Sequence, residues 1–280
     1  MKKKVLLATF ALLLVPLILV LNKPRYPLAI CAIFHNEAPF LKEWIDYHHD
    51  EMGINKFYLY NNNSTDDYLS VLAPYMKSGV VQLIDWPSIE ENAIHGFGEF
   101  QQVPYQHGAY QHCAEKIKGQ VDWIAMIDID EYIVPNMSAQ AFYKLLEKEK
   151  KEKTGSLKIY WKVFGTSNIY TLNEGEKLID HLVMRASEEH PWNFQIKSIH
   201  QPKALRRPLV HEAKKLHKGY LKKSLPKELC RIHHYWTGTE NRFWEKRKGF
   251  TKEAAISFLE ELNRVEDLSI QAFRLTEEKQ

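Results

Sequence analysis

From residue 28 onward, apolar runs of strand length alternate with stretches of helical length, the pattern that an α/β sheet imposes on a sequence. Residues 28–34 read as a buried strand, and His35-Asn36-Glu37 as the turn that leaves it. Pro39 falls in the first turn of the next helix, where its missing N–H does no harm; Phe40, Leu41, Trp44, Ile45 and His48 keep core spacing to about residue 50. Strands are predicted over 56–60 and 80–86, with the polar loop Asn61-Asn62-Asn63-Ser64-Thr65-Asp66 leading into a helix over 68–76. A helix over 105–118 and a strand through Trp123-Ile124-Ala125-Met126-Ile127 follow. This β-α-β-α-β series predicts a mostly parallel central sheet with right-handed crossovers, flanked by helices. In such sheets ligands bind beyond the carboxyl ends of the strands.

The second half continues with a Lys/Glu-rich helix over 139–153, strands over 156–164, 194–199 and 230–236, and helical spacing over 177–185. Gly238 and Thr239 cap a terminal helix that carries Phe243, Trp244 and Phe250. There is no internal repeat. Residues 28–280 therefore read as one α/β domain, with a first half to residue 135 and a second half from residue 136.

Three polar clusters fall at predicted carboxyl ends: residues 35–37, 61–66 and 128–131. Asp128-Ile129-Asp130 is the most informative, because two carboxylates two residues apart on a strand point the same way and repel unless a cation sits between them or one takes up a proton. Glu131 adds a third acid just before the apolar Ile133-Val134-Pro135 resumes. Unpaired buried charge costs several kcal/mol, so the cluster points to a function. One or two hard carboxylates suit Mg²⁺ or Mn²⁺, which complete their coordination with water and phosphate oxygens. No G-x-G-x-x-G or G-x-x-x-x-G-K-[ST] is present, which argues against the usual dinucleotide and P-loop sites.

With 280 residues, 45% of them hydrophobic, the chain can bury a sizeable core. Its net charge of +3 is too small for a general nucleic-acid binder, although residues 203–231 are locally basic. Aromatic residues are plentiful, and Trp161, Trp192 and Trp236 are candidates for stacking on a sugar ring. Cys31, Cys113 and Cys230 lack metal-type or disulfide-framework spacing and read as buried thiols. At the amino terminus, Lys2-Lys3-Lys4 precedes an uncharged apolar run over 5–21, a signal anchor with the lysines on the cytoplasmic side; residues 23–27 form a short stalk. A cleaved signal peptide is the competing reading, but no A-x-A arrangement follows the run. This expectation is a single-pass type II membrane protein, in a secretory lumen if the source is eukaryotic and at the inner membrane if it is bacterial.

Taken in order, several motifs resemble those of glycosyltransferase family 92 and related family 2-like enzymes with a GT-A fold. They are Phe34-His35-Asn36-Glu37 with Leu41-x-Glu43-Trp44-x-x-Tyr47-His48, Tyr60 with the loop to Asp66, and Gln106 ahead of Cys113. They continue through Ile127-Asp128-Ile129-Asp130-Glu131-Tyr132, Trp161-x-x-Phe164-Gly165-Thr166-Ser167, Lys197-Ser198-Ile199, His211, and His233-His234-Tyr235-Trp236. The resemblance implies a GT-A nucleotide-diphospho-sugar transferase fold and transfer of a hexose, tilted towards galactose from a UDP-sugar, to a glycan acceptor with inversion. It assigns Asp128 and Asp130 to Mn²⁺ or Mg²⁺, with His211 or His234 as a further ligand. It places Asn36, Glu37, Asn62, Ser64, Asp66, Gln106, Asp128 and Lys197 around the donor. Arg206 or Arg207 would help at the phosphates. Inversion needs one general base, and Glu188 and Glu189 are the choices made for it. The competing classes are a metal-dependent nucleotidyltransferase and a non-catalytic glycan-binding relative.

Overall fold

The computed structural model describes residues 26–95, 103–246 and 249–277. The expected anchor and most of the stalk lie outside the described residues. Tyr26 and Pro27, read above as the end of the stalk, instead open β1 (Tyr26–Phe34). Among the described residues no helix is long and apolar enough to cross a membrane.

The first half follows the predicted alternation. After β1 come α1 (Ala38–Asp46), which runs on into a wider π-type turn at Tyr47–Glu51, then β2 (Phe57–Asn61), α2 (Tyr68–Lys77) and β3 (Val81–Asp85). Next are α3 (Pro104–Lys116), β4 (Val121–Met126) and β5 (Glu131–Pro135). The second half holds α4 (Ala139–Lys151), with Ser138 Oγ capping its amino end, and β6 (Thr154–Val163). The helix expected over 177–185 is only one turn, α5 (Leu178–His181), followed by β7 (Met184–Arg185). Then come β8 (Ile196–His200), β9 (Leu205–Pro208), β10 (Ala213–Leu216), β11 (Leu221–Ser224) and β12 (Cys230–His234). The expected single terminal helix is three: α6 (Glu240–Lys246), α7 (Lys252–Leu262) and α8 (Ser269–Glu277), with β13 (Val265–Glu266) between the last two. Thr251 caps α7 through its hydroxyl, which starts a new helix where one continuous helix was expected.

The nine-stranded sheet has the order β3-β2-β1-β4-β8-β6-β12-β5, with β11 alongside β6. Strands β1 to β4 are mutually parallel; β8 runs antiparallel to both β4 and β6, and β5 antiparallel to β12. Alternation along β1 sends Leu28, Ile30, Ala32 and Phe34 to one core with Trp44 and Ile45 of α1, and Ala29 and Cys31 to the other with Tyr110 and Cys113 of α3. A strand covered on both faces must be apolar throughout, which is why β1 reads as a continuous hydrophobic run. All three cysteines are free and buried, as expected.

Strand β5 ends the sheet, and an edge strand exposes unpaired backbone groups. Here α1 and its π-type extension cover them. Trp44 Nε1 donates to the Glu131 carbonyl at 2.8 Å and the Tyr47 hydroxyl to that of Ile133 at 2.9 Å. The Ile133 N–H donates to His48 Nε2 at 3.2 Å. Glu43, from the same motif, accepts the backbone N–H groups of Leu178 and Ile179 at 2.8 and 2.9 Å and so caps α5. These motif residues are a bracket around the strand that begins with Glu131.

Candidate active site

Phe34 pairs with Asn61, and Asn61 with Asp85, so the carboxyl ends of β1, β2 and β3 lie flush. The loops leaving them are tied to one another. Asn36, with φ of 55°, accepts the Thr65 N–H on its side-chain oxygen at 2.7 Å, and its own N–H donates to Ser64 Oγ at 3.0 Å. Asp66 accepts the Ala38 N–H at 2.7 Å, placing a carboxylate at the positive end of α1. Asn62 donates to the Trp86 carbonyl at 2.8 Å and to Ser88 at 3.0 Å. Ser64, Asp66 and Asn36 therefore brace the loops and are not among the residues lining the cavity described next.

That cavity, about 500 Å³, opens beyond β1 and β4 and is lined by Glu37, Gln106, Asp128, Asp130, His211 and His234, with Trp161 and Trp236 among its aromatic walls. Asn62 lines a smaller adjoining recess that shares Gln106. Asp128 and Asp130 lie in the turn between β4 and β5, and Ile129 between them is buried, so both carboxylates face the same space. The separation of their partners was not foreseen. Lys197, fully buried on β8, lies 2.8 Å from Asp128 and 3.4 Å from Glu131. Gln106 donates to the other Asp128 oxygen at 2.8 Å. Asp130 stands 3.5 Å from His234 Nε2. Part of the cation that two neighbouring aspartates demand is thus an ammonium group built into the sheet.

The electrostatics follow from these pairings. Burial would raise the Asp130 carboxyl, but His234, then Arg242 and Lys246, outweigh it and hold it below the usual carboxylate range. Burial depresses His234, and Asp130 more than restores it, so that His234 is raised. Burial lowers Lys197, but Asp128 and Glu131 raise it further. Glu131 is the exception. Burial pushes it up to about 7 despite Lys197; one oxygen accepts the Asp128 N–H at 2.9 Å, and the other has no hydrogen bond, with His234 Nδ1 at 4.0 Å.

Other expectations fare differently. Glu37 lines the cavity but is held by Arg242 at 2.6 Å and Lys246 at 2.5 Å, two cations to which the sequence reading gave no role. His211 lines the cavity with Nδ1 2.9 Å from the Ile196 carbonyl; burial, then Lys197, lowers it. Glu188 is bound to Arg231 at 2.7 Å and Lys227 at 3.2 Å, Glu189 is exposed, and neither lines the cavity. Glu188, shared by two cations, and Glu189, exposed, thus stand apart from the residues that line this cavity. Arg206 and Arg207 are exposed on β9 and do not line it either. Trp192 packs edge-on against Trp236 at 5.1 Å and belongs to the wall's support.

A family model described as glycosyltransferase family 92 matches residues 26–269. The chain belongs to this family. It is similar to a glycosyltransferase family 92 protein of Ricinus communis, 25% identical over 80% of this chain and 38% of that relative. One of Arabidopsis thaliana is 24% identical over 79% of this chain and 38% of its own length. The chain thus spans less than two fifths of these curated relatives. Among solved structures it is similar to a mannosyltransferase of Pyrobaculum calidifontis in complex with GDP-Man and Mn²⁺, with TM-score 0.44, 11% identity, and coverage of 90% of this chain and 74% of that one. The S. aureus TarS 1–349 complex with UDP-GlcNAc gives TM-score 0.44 and 10% identity over 88% and 70%.

Within this family member, the donor set fits a hard divalent cation. Among the described residues no group of three or more His, Cys, Asp or Glu forms a ready cage. Two carboxylates facing one open cavity are what Mg²⁺ or Mn²⁺ uses when substrate phosphates and water complete the shell. Asp130 is the direct-ligand candidate, since Asp128 is already engaged by Lys197 and Gln106.

Proposed function

We propose that this chain is a metal-dependent glycosyltransferase that moves a hexose, galactose by the family resemblance, from a nucleotide-diphospho-sugar to a glycan hydroxyl with inversion. The observation that carries this reading is the pair Asp128 and Asp130 facing one cavity at the carboxyl ends of β1 and β4. A bound Mn²⁺ or Mg²⁺ would act as a Lewis acid on the departing diphosphate. Asp130 and Asp128 would hold that ion, with His211 or His234 beside them. Lys197 pairs with Asp128, and His234 orients Asp130. Arg242 and Lys246, tethered by Glu37 at the cavity wall, supply positive charge where the leaving group develops its negative charge. Trp161 and Trp236 offer flat faces to a sugar ring. The base for inversion belongs to a group of the cavity wall, not to Glu188 or Glu189. As part of the same proposal, the apolar run over 5–21 anchors the domain as a single-pass type II membrane protein.

The test is turnover of a panel of UDP- and GDP-sugars by the full chain, with Mn²⁺ and with EDTA. The proposal expects release of nucleoside diphosphate that EDTA abolishes, and loss of that release in Asp130→Asn with the folded circular-dichroism spectrum retained. Release of pyrophosphate from nucleoside triphosphates would favour a nucleotidyltransferase. Glycan binding without any donor turnover would favour a binding protein. Activity of Asp130→Asn at saturating Mn²⁺ would overturn the metal assignment.

A further inference from the structure

The cavity and the amino end of the domain lie at opposite edges of the sheet. Strands β1 to β4 are parallel, and β6 and β11 run the same way, so the cavity lies beyond the carboxyl ends of β1 and β4 while Tyr26 opens β1 at the other edge. That other edge is basic. Lys77, Lys116 and Lys151 stand in the last turns of α2, α3 and α4, where the helix dipole favours a cation. Lys118, Lys153 and Lys218 stand past the helix ends, in the turns that lead into β4, β6 and β11. All six are exposed, and none has an ion-pair partner among the described residues. The exposed acids there are fewer and already engaged: Asp50 lies 2.6 Å from His49, Glu115 accepts from the Gln111 amide at 2.6 Å, and Glu152 lies 2.5 Å from Lys223. Half-buried Tyr26 and Tyr220 and exposed Leu221 add amphipathic and apolar surface to the same edge.

Only residues 22–25 separate the apolar run over 5–21 from Tyr26, a reach of at most about 18 Å. A domain of this length is roughly 45 Å across, so a bilayer that holds the run can meet the basic edge but not the cavity edge. We propose that this basic edge docks on the anionic phospholipid headgroups of that bilayer, which attract lysines over a Debye length of about 8 Å. The cavity then opens away from the membrane, about one strand length, or roughly 30 Å, beyond the docked edge. This inference rests on the signal anchor proposed above and adds the surface that the anchor brings to the lipid.

The experiment uses the full chain in lipid nanodiscs of phosphatidylcholine, alone or with about one-third phosphatidylglycerol, and follows acetylation of each lysine by mass spectrometry. Lys118, Lys153 and Lys218 should react at least about threefold more slowly in the anionic discs, with Lys246 at the cavity edge unchanged, and about 0.5 M NaCl should erase the difference. Lys118→Glu combined with Lys218→Glu, both at exposed turns, should restore most of the Lys153 reactivity. Equal reactivity in the two discs, protection of Lys246 as strong as that of Lys118, or full protection of Lys153 in the double variant would each overturn the proposal. The wild-type comparison stands by itself if the variant fails to fold. A chain that separates from neutral discs on gel filtration in about 0.5 M NaCl would refute the anchor and the docking with it, whereas a chain that stays but reacts equally in both discs refutes the docking alone.

Discussion

Lys197→Met replaces a buried ammonium with an uncharged chain of similar length and leaves two carboxylates facing its former position. Lys197 has no exposed surface, lies 2.8 Å from Asp128 and 3.4 Å from Glu131, and is the nearest cation to both. Here Asp128 loses its cation, and Glu131, already raised to about 7, must take up a proton to stay buried; removing one partner of a buried ion pair costs roughly 3–5 kcal/mol. At a urea m-value of about 2–3 kcal/mol/M that is a midpoint shift of roughly 1–2 M. Adding Glu131→Gln should return part of this loss. Glu131 is fully buried, whereas Asp128 keeps a side chain about one-third exposed and the amide of Gln106. The double variant then leaves only the better-solvated carboxylate unpaired. Urea unfolding of the wild type, both single variants and the double variant gives the coupling directly. A cost below about 1 kcal/mol for Lys197→Met, or a double variant no more stable than Lys197→Met, would refute the account of Lys197 as the shared counter-ion.

Two further outcomes follow from buried groups. His48 and His200 are both buried and held at about 3, by burial first in each case. An unfolded histidine titrates near 6.5, so the unfolded state binds protons that the folded state refuses. The stability contribution is complete above that pH and is lost as pH falls towards 3, by about 2 kcal/mol per histidine at pH 5. The urea midpoint should drop between pH 7 and pH 5 while the two imidazole resonances stay fixed; resonances that titrate near pH 6.5 in the folded protein would contradict this. Trp44→Phe removes the donor to the Glu131 carbonyl and should destabilise by roughly 1–3 kcal/mol. Faster amide exchange along β5 than elsewhere in the sheet should accompany that loss, and uniform exchange would argue against the bracket.

The alternation of apolar runs and helical stretches was enough to read the parallel first half, because β1, β2 and β4 are covered on both faces and are apolar apart from Asn61 and Asp122. It was enough, too, to place Asp128 and Asp130 beyond a strand end, where buried backbone gives way to a cavity. The second half was less legible. β9, β10 and β11 are only four residues long and each carries two adjacent basic residues with little hydrophobic period, and the start of α7 is marked by a single capping threonine.

Within the site, the strand pattern named Asp128 and Asp130, and the family resemblance added Gln106, Lys197 and His211, all of which the fold brings to the cavity or its wall. Only the tertiary structure decided how the charges divide. Lys197 is 69 positions from Asp128, and Arg242 is 205 from Glu37, so no local pattern links either pair. It likewise ties Asn36, Ser64 and Asp66 into the bracing of the loops, and Glu188 into an ion pair with Arg231. Residue type and spacing determine which groups can carry charge and on which face of an element they stand. Which opposite charge each one meets is fixed by long-range packing, since Coulomb attraction and desolvation depend on distances of a few ångströms that the chain sets only after it has folded.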